Sequence, residues 1–366
     1  MKKKHNLLQS KGTSSFFSVI MAIAVGLLFG LVILLISNYR NAFPALITII
    51  KGGFTNGTAG LGQVLYMATP IIMTGLSVGF AFKTGLFNIG ASGQFTTGAF
   101  VAVYIGIKWT FLPSGIHWIV ALLGAIIAGA LWGMVPGILK ALANVNEVIT
   151  SIMMNYIGIY LVNMLIVKSI YDPLKNQTES VPKSAIIPRG GLEQLFDVKN
   201  MNIGIFIAIF AVILIYIVLS KTTFGYELKA CGHSPSASQY AGINDKRNII
   251  LSMVIAGALA GLGGGLLYLS GSGKYMQVID ILAPEGFNGI SVALLGMSNP
   301  IGILFAGLFI AHIKVGGNNI QLYNYSAEII DIIIAVIIYC GAFSLLFKNL
   351  IHKLTRRNKL EKEEGR

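Results

Sequence analysis

Charge is scarce in this chain. Only 11% of its 366 residues are Asp, Glu, Lys or Arg, with 14 acidic against 27 basic side chains. A soluble domain carries about 25% charged residues to cover its surface, so a water-soluble enzyme of this length is excluded. The two cysteines, Cys231 and Cys340, lie too far apart in sequence for a zinc cluster or a disulfide framework and read as small apolar residues. His5, His117, His233, His312 and His352 are scattered without metal-ligand spacing, and no Ser or Cys nucleophile motif occurs. The expectation is no catalytic residue, no metal site and no cofactor. A phosphate loop is missing too: around Gly271-Ser272-Gly273-Lys274, Tyr268 and Tyr275 stand where a Walker A motif needs Gly and Ser or Thr. Any ATP-driven work therefore requires a separate subunit.

What fills the chain instead is apolar. Hydrophobic residues make up 55%, glycine adds 43 more, and the mean hydropathy is +0.75. A membrane-spanning helix needs about 20 mostly apolar residues, which predicts an all-α, polytopic membrane protein. The candidate segments are 16–36, 64–82, 86–107, 116–139, 148–167, 203–219, 249–269, 287–295, 301–313 and 329–347. That is about ten, the eighth too short to cross alone. The first segment has no small-residue cleavage site after it and reads as a retained helix.

The net charge of +13 is better read by position than as a sign of nucleic-acid binding, because Lys and Arg concentrate in cytoplasmic loops. Lys2, Lys3, Lys4 and Lys11 lead the chain, and the tail 348–366 is again rich in Lys and Arg. An even number of crossings puts both tails on one side, here the cytoplasm. Residues 1–15 and 348–366 are thus expected as cytoplasmic tails around a transmembrane domain at 16–347. The loop 221–247 carries Lys221, Lys229, Lys246 and Arg247 and should be cytoplasmic as well. The loop 169–200 balances its charges, contains Pro173, Pro182 and Pro188, and should be external.

Two stretches interrupt the hydropathy, one at 83–94 and one at 283–302. Non-helical backbone at membrane depth persists only when it is buried in protein or lines water. Paired interruptions in two halves point to a transport site between inverted repeats. Gly85, Gly90, Gly93, Gly286 and Gly289 are expected where helices break around that path. The acids near the membrane are Glu147, Asp280, Glu285, Glu328 and Asp331. In a carrier working alone, Glu285, Glu328 and Asp331 would couple transport to an ion gradient; alternatively, Glu328 and Asp331 simply favour the positive end of the last helix. Amides outnumber these acids. A path lined by Asn88, Gln94, Asn155 and Asn288 suits a neutral hydrogen-bonding solute, although buried amides also bond helix to helix. Gly257, Ala258, Ala260, Gly261, Gly263, Gly264 and Gly265 form a small-residue face for close helix packing.

Within the loop 221–247, Ser234 can cap a short helix, Pro235 fits its first position and Gly242 can end it. Small residues at Ala237, Ser238 and Ala241 would let another protein's surface come close. The other reading is a solvated amphipathic turn resting on the membrane.

Several runs carry a resemblance. Gly85-Leu86-Phe87-Asn88-Ile89-Gly90-Ala91-Ser92-Gly93-Gln94 is similar to the "LFNIGxEGQ" signature of permease subunits of ATP-binding-cassette importers for nucleosides and simple sugars, the branched-chain amino-acid and ribose permease superfamily. The segment from Asn146 to Tyr156 resembles the family's "NEVIxTIMLNY", Tyr226 to Gly232 with Ala237 to Arg247 its "ELRAVGxNPxAAxYAGINxxR", and Gly286 to Gly296 its "GFxGIAVALLG". Ser92 departs from the family's usual Glu, so no role of that acid is carried over. The resemblance implies an inverted-repeat permease fold in a bacterial plasma membrane, paired with a second permease subunit in a homo- or heterodimer. It further implies cytoplasmic ATP-binding cassette subunits and an extracellular solute-binding lipoprotein. Ser234, Pro235, Ala237, Ser238, Tyr240, Ala241 and Gly242 would then contact the ATPase. The long external loop resembles the nucleoside-type permeases more than the ribose type.

Overall fold

The computed structural model describes residues 11–326 and 328–342. The basic tails at 1–10 and 348–366 and the end of the last expected span, 343–347, lie outside the described residues. The chain divides into two compact units, one made of residues up to Thr55 and from Ile313 onward, the other Asn56–His312.

In the first unit, α1 (Lys11–Ser37) packs along α14 (Glu328–Ala342). Contact is close enough that a Cβ at Gly26 would lie 2.6 Å from the Ile337 Cα. Glu328 and Asp331 sit in the first turn of α14, where the helix dipole favours acids. Between these helices in sequence lies α2 (Ala42–Lys51), an element the hydropathy reading leaves out. It buries Ala42, Ala45, Thr48 and Ile49 and exposes Phe43, Ile47 and Ile50. The Tyr325 hydroxyl donates to the Asn38 and Leu34 carbonyls, at 2.7 and 3.2 Å, near the end of α1.

The second unit holds α3 (Gly57–Lys83), α4 (Ala91–Lys108), α5 (Ser114–Ala143), α6 (Glu147–Ser169), α7 (Leu192–Phe196), α8 (Gly204–Lys221), α9 (Thr223–His233), α10 (Pro235–Tyr240), α11 (Asp245–Tyr268) and α12 (Pro284–Leu295), and α13 (Pro300–Asn319) begins in it. Polar caps set several of these boundaries. Asn146 Oδ1 accepts from the Val148 and Ile149 N–H groups, Asn244 Oδ1 from Arg247 N–H, and Thr222 Oγ1 from Gly225 N–H, each satisfying donors a helix start leaves open.

Helix α11 is the axis of this unit, packed against α3, α4 and α5. The small-residue face reaches backbone: a Cβ at Gly257 would run into the Gly129 carbonyl, and one at Gly261 into the Ala125 carbonyl. The opposite surfaces of α5 and α8 expose Leu123, Ile127, Leu131, Phe206, Phe210 and Ile213, an apolar belt suited to lipid chains.

Six described helices are long and apolar enough to cross a membrane: α3, α5, α6, α8, α11 and the stretch Pro300–Tyr323. The remaining expected spans are also helical but fall short for separate reasons. In α4, Ser92, Gln94, Thr96 and Thr97 dilute the apolar run. With 12 residues, α12 is about 18 Å long against a hydrocarbon core of about 30 Å. Within α1 the stretch Ile23–Ser37 counts as a shorter apolar helix, and the described part of α14 has 15 residues, less than a full span.

The loop 169–200 is ordered. A two-stranded ladder of β1 (Tyr171–Asp172) and β2 (Gln177–Thr178) continues into the segment after α11, where Thr178 N–H donates to the Met276 carbonyl at 2.9 Å and Ile187 N–H to the Leu269 carbonyl at 2.9 Å.

Candidate functional site

The first interruption lies between α3 and α4, at residues 84–90. Gly85 adopts a φ of +73° there, a conformation other residues reach only with strain. The freed polar groups are satisfied by side chains. Asn88, fully buried, donates from Nδ2 to Gln94 Oε1 at 2.8 Å and to Ser77 Oγ at 3.1 Å, and Gln94 Nε2 donates back to Asn88 Oδ1 at 3.0 Å. Asn155 of α6 joins from the other side: its Oδ1 accepts from Gly93 N–H at 2.7 Å, and its Nδ2 donates to the Ile89 carbonyl at 3.1 Å. Three of the expected pathway amides thus form one buried cluster that holds the broken segment. Asn288, half-buried on α12, takes no part in it.

The second interruption differs from the sequence reading. Helix α12 begins at Pro284 and runs through Gly286 and Gly289, so neither glycine marks a break. Both sit where another backbone crowds in: a Cβ at Gly286 would run into the backbone of Ser92, and one at Gly289 would lie 2.6 Å from the Thr74 carbonyl carbon. Gly93 likewise lies inside α4, against Asn155. The non-helical stretches flank α12 instead, at 269–283 and 296–299, the latter with Met297 and Ser298 at φ +53° and +52°. Ser92 Oγ donates to the Ala283 carbonyl at 2.9 Å, which ties the start of α4 to the start of α12.

The loop 221–247 is helical through α9 and α10. Ser234 Oγ accepts from Ala237 N–H at 3.3 Å, Pro235 occupies the first turn, and Gly242, at φ +79°, follows the end of α10. Ser238 faces inward, its hydroxyl donating to the Pro235 carbonyl at 2.7 Å. Ala237, Ala241 and Gly242 face outward, and Tyr240 is 95% exposed. Beside them a groove of about 530 Å³ opens between α9 and α10, with Tyr226, Glu227 and His233 on its wall. The sequence reading places Tyr226, Glu227 and His233 in the 221–247 loop without giving them a role; the face they share is set by α9 burying Gly225, Leu228 and Cys231.

Helix α9 and the polar break touch directly. A Cβ at Gly85 would lie 3.1 Å from the Gly232 Cα, and one at Gly232 would lie 2.8 Å from the Lys83 carbonyl. Next to this contact the Thr84 and Ser252 hydroxyls are 2.5 Å apart. A displacement of α9 therefore meets the backbone of the broken segment with no side chain between them to absorb it.

The family model described as the branched-chain amino acid transport system permease component matches residues 60–341. The guanosine ABC transporter permease protein of Bacillus subtilis is 37% identical over 348 residues, covering 95% of this chain and 99% of its own length. A nucleoside ABC transporter permease protein of Lactococcus lactis is 36% identical, over 91% of this chain and 92% of its own. A glucose ABC transporter permease protein of Haloferax volcanii is 32% identical, over 79% and 77%. No solved structure matches the chain.

Proposed function

Since this chain belongs to the family of branched-chain amino-acid transport system permease components, a multi-pass, non-catalytic subunit of an ABC importer, we propose that the solute it passes is a nucleoside. The observation that carries this reading is near full-length similarity to permeases named for guanosine and nucleosides. The similarity to a glucose permease favours a simple sugar as the second reading.

In this proposal two permease subunits enclose the path, an external lipoprotein delivers the solute, and two cytoplasmic ATPases drive the switch. The termini and the α9–α10 element face the cytoplasm, and the loop 169–200 faces outward. Asn88, Gln94 and Asn155 shape the path by fixing the broken segment, while Asn288 on α12 offers its amide to the solute. The ATPase seats on Ala237, Tyr240, Ala241 and Gly242, with Ser234, Pro235 and Ser238 holding the helix in shape. Its movement reaches the path through Gly232 and Gly85. Energy comes from ATP in the partners, so Glu285, Glu328 and Asp331 carry no ion-coupling role.

The test is uptake by the complete importer, reconstituted in liposomes with ATP inside. Accumulation of labelled guanosine that stops without hydrolysable ATP is the expected result. Accumulation of glucose or ribose and not guanosine selects the sugar reading, and gradient-driven uptake by this chain alone overturns both.

A further inference from the structure

A cavity of about 190 Å³ opens beside the start of α12, walled by α4, α6, the end of α11 and the segment 275–285. Liquid water takes about 30 Å³ per molecule, so the space holds about six waters or one ring-sized group. Its wall includes Phe95, Thr96, Asn163, Tyr268, Gln277 and Glu285.

The charge on this wall is one-sided: Glu285 is the one acid in the lining, and no Lys, Arg or His stands among the lining residues. Both Asn163 amide donors are engaged, with the Ile279 carbonyl and the Asp280 carboxylate, each at 3.0 Å, and they fix the segment that closes one side. The Thr96 hydroxyl donates to the Ser92 carbonyl at 2.8 Å, which leaves only its lone pairs for a guest. Glu285 is half-buried and has no cationic partner among the described residues. It lies within electrostatic reach of the Tyr268 hydroxyl. It sits in the first turn of α12, the helix end that suits an acidic side chain. An ionised carboxylate only accepts hydrogen bonds, and its two oxygens can accept from two neighbouring donors at once.

We propose that this cavity is a subsite for a vicinal diol, the ribose of a nucleoside or a free pentose, with the Glu285 carboxylate accepting from the two adjacent hydroxyls. It rests on the nucleoside reading above and adds a place where the permease itself reads the solute. A neutral diol supplies paired donors, and Tyr268, half-buried on the cavity wall, offers its ring to the solute. A divalent cation fits poorly, because no group of three or more acids, histidines or cysteines that could hold one occurs among the described residues.

The experiment compares uptake of guanosine and 2′,3′-dideoxyguanosine by the reconstituted importer, wild type against Glu285→Ala, with the same binding protein throughout. The wild type should favour guanosine by at least about tenfold, and Glu285→Ala should bring the ratio to within about twofold. Tyr268→Phe, which removes one hydroxyl and little else, should lower the ratio by about threefold. It decides the matter alone if Glu285→Ala does not assemble. Should the wild type carry sugar instead, the nucleoside reading fails while this one is read from D-ribose against 2-deoxy-D-ribose. An unchanged ratio, or equal loss of both solutes, overturns the subsite. So does a wild type that imports neither nucleoside nor pentose.

Discussion

Asn88 and Gln94 exchange two hydrogen bonds, at 2.8 and 3.0 Å, across the turn that joins the polar break to α4. Each amide therefore satisfies the other in a site with no access to water. Replacing either one by leucine strands its partner, at a cost of about 1–3 kcal/mol. Replacing both should cost less than the sum of the single changes, a coupling that a double-mutant cycle on thermal unfolding in detergent will measure.

Gly261→Ala should destabilise the protein by about 1–3 kcal/mol, because the added methyl meets the α5 backbone. Gly115→Ala is the matched control, since a Cβ there has nothing within 4 Å. Melting temperatures of the two purified variants should separate clearly, with the control near wild type.

Tyr240→Ala removes a side chain that is 95% exposed, so stability should stay within about 0.5 kcal/mol of wild type. ATPase subunits should nevertheless no longer co-purify with the permease. Normal co-purification would remove Tyr240 from the proposed docking surface.

Ser92→Glu restores the acid that resembling proteins commonly carry, but here it enters a fully buried site beside Gly286 and the Ala283 carbonyl. The longer side chain should push α12 away from α4, lowering the melting temperature and guanosine uptake together. A second change, Glu285→Gln, should not rescue packing, which separates crowding from charge repulsion.

Asn176, at the tip of the hairpin with φ +49° and its Oδ1 accepting from the Tyr171 hydroxyl, should accept cysteine at a local cost of about 1–2 kcal/mol with the fold kept. In intact cells a membrane-impermeant maleimide should label Asn176→Cys and leave a cysteine placed at Tyr240 unlabelled. The reverse pattern would invert the proposed orientation.

The long helices were legible because their apolar runs exceed what a soluble helix needs, and α10 was legible because Ser234, Pro235 and Gly242 each have a positional preference. Helix α2 was not, since ten residues flanked by Asn38–Asn41 and Gly52–Gly53 resemble a connector. Gly286 and Gly289 misled for a related reason. In sequence a glycine that breaks a helix and one that admits a neighbouring backbone look alike, and only the position of Ser92 and Thr74 in space tells them apart. The amides at 88, 94 and 155 were visible as polar residues in an apolar setting. Their pairing was not, because Asn155 reaches the break from a helix 62 positions beyond Gly93 in sequence.

The glycine seam between α5 and α11 has a mechanical consequence. Helices that slide past one another do so by hopping between side-chain rotamers, and where carbonyl meets Cα there are no rotamers to hop. These two helices must therefore travel as a single stiff spar. In the proposed transport cycle, movement would then fall on the irregular joints at 84–90, 269–283 and 296–299 rather than along this seam.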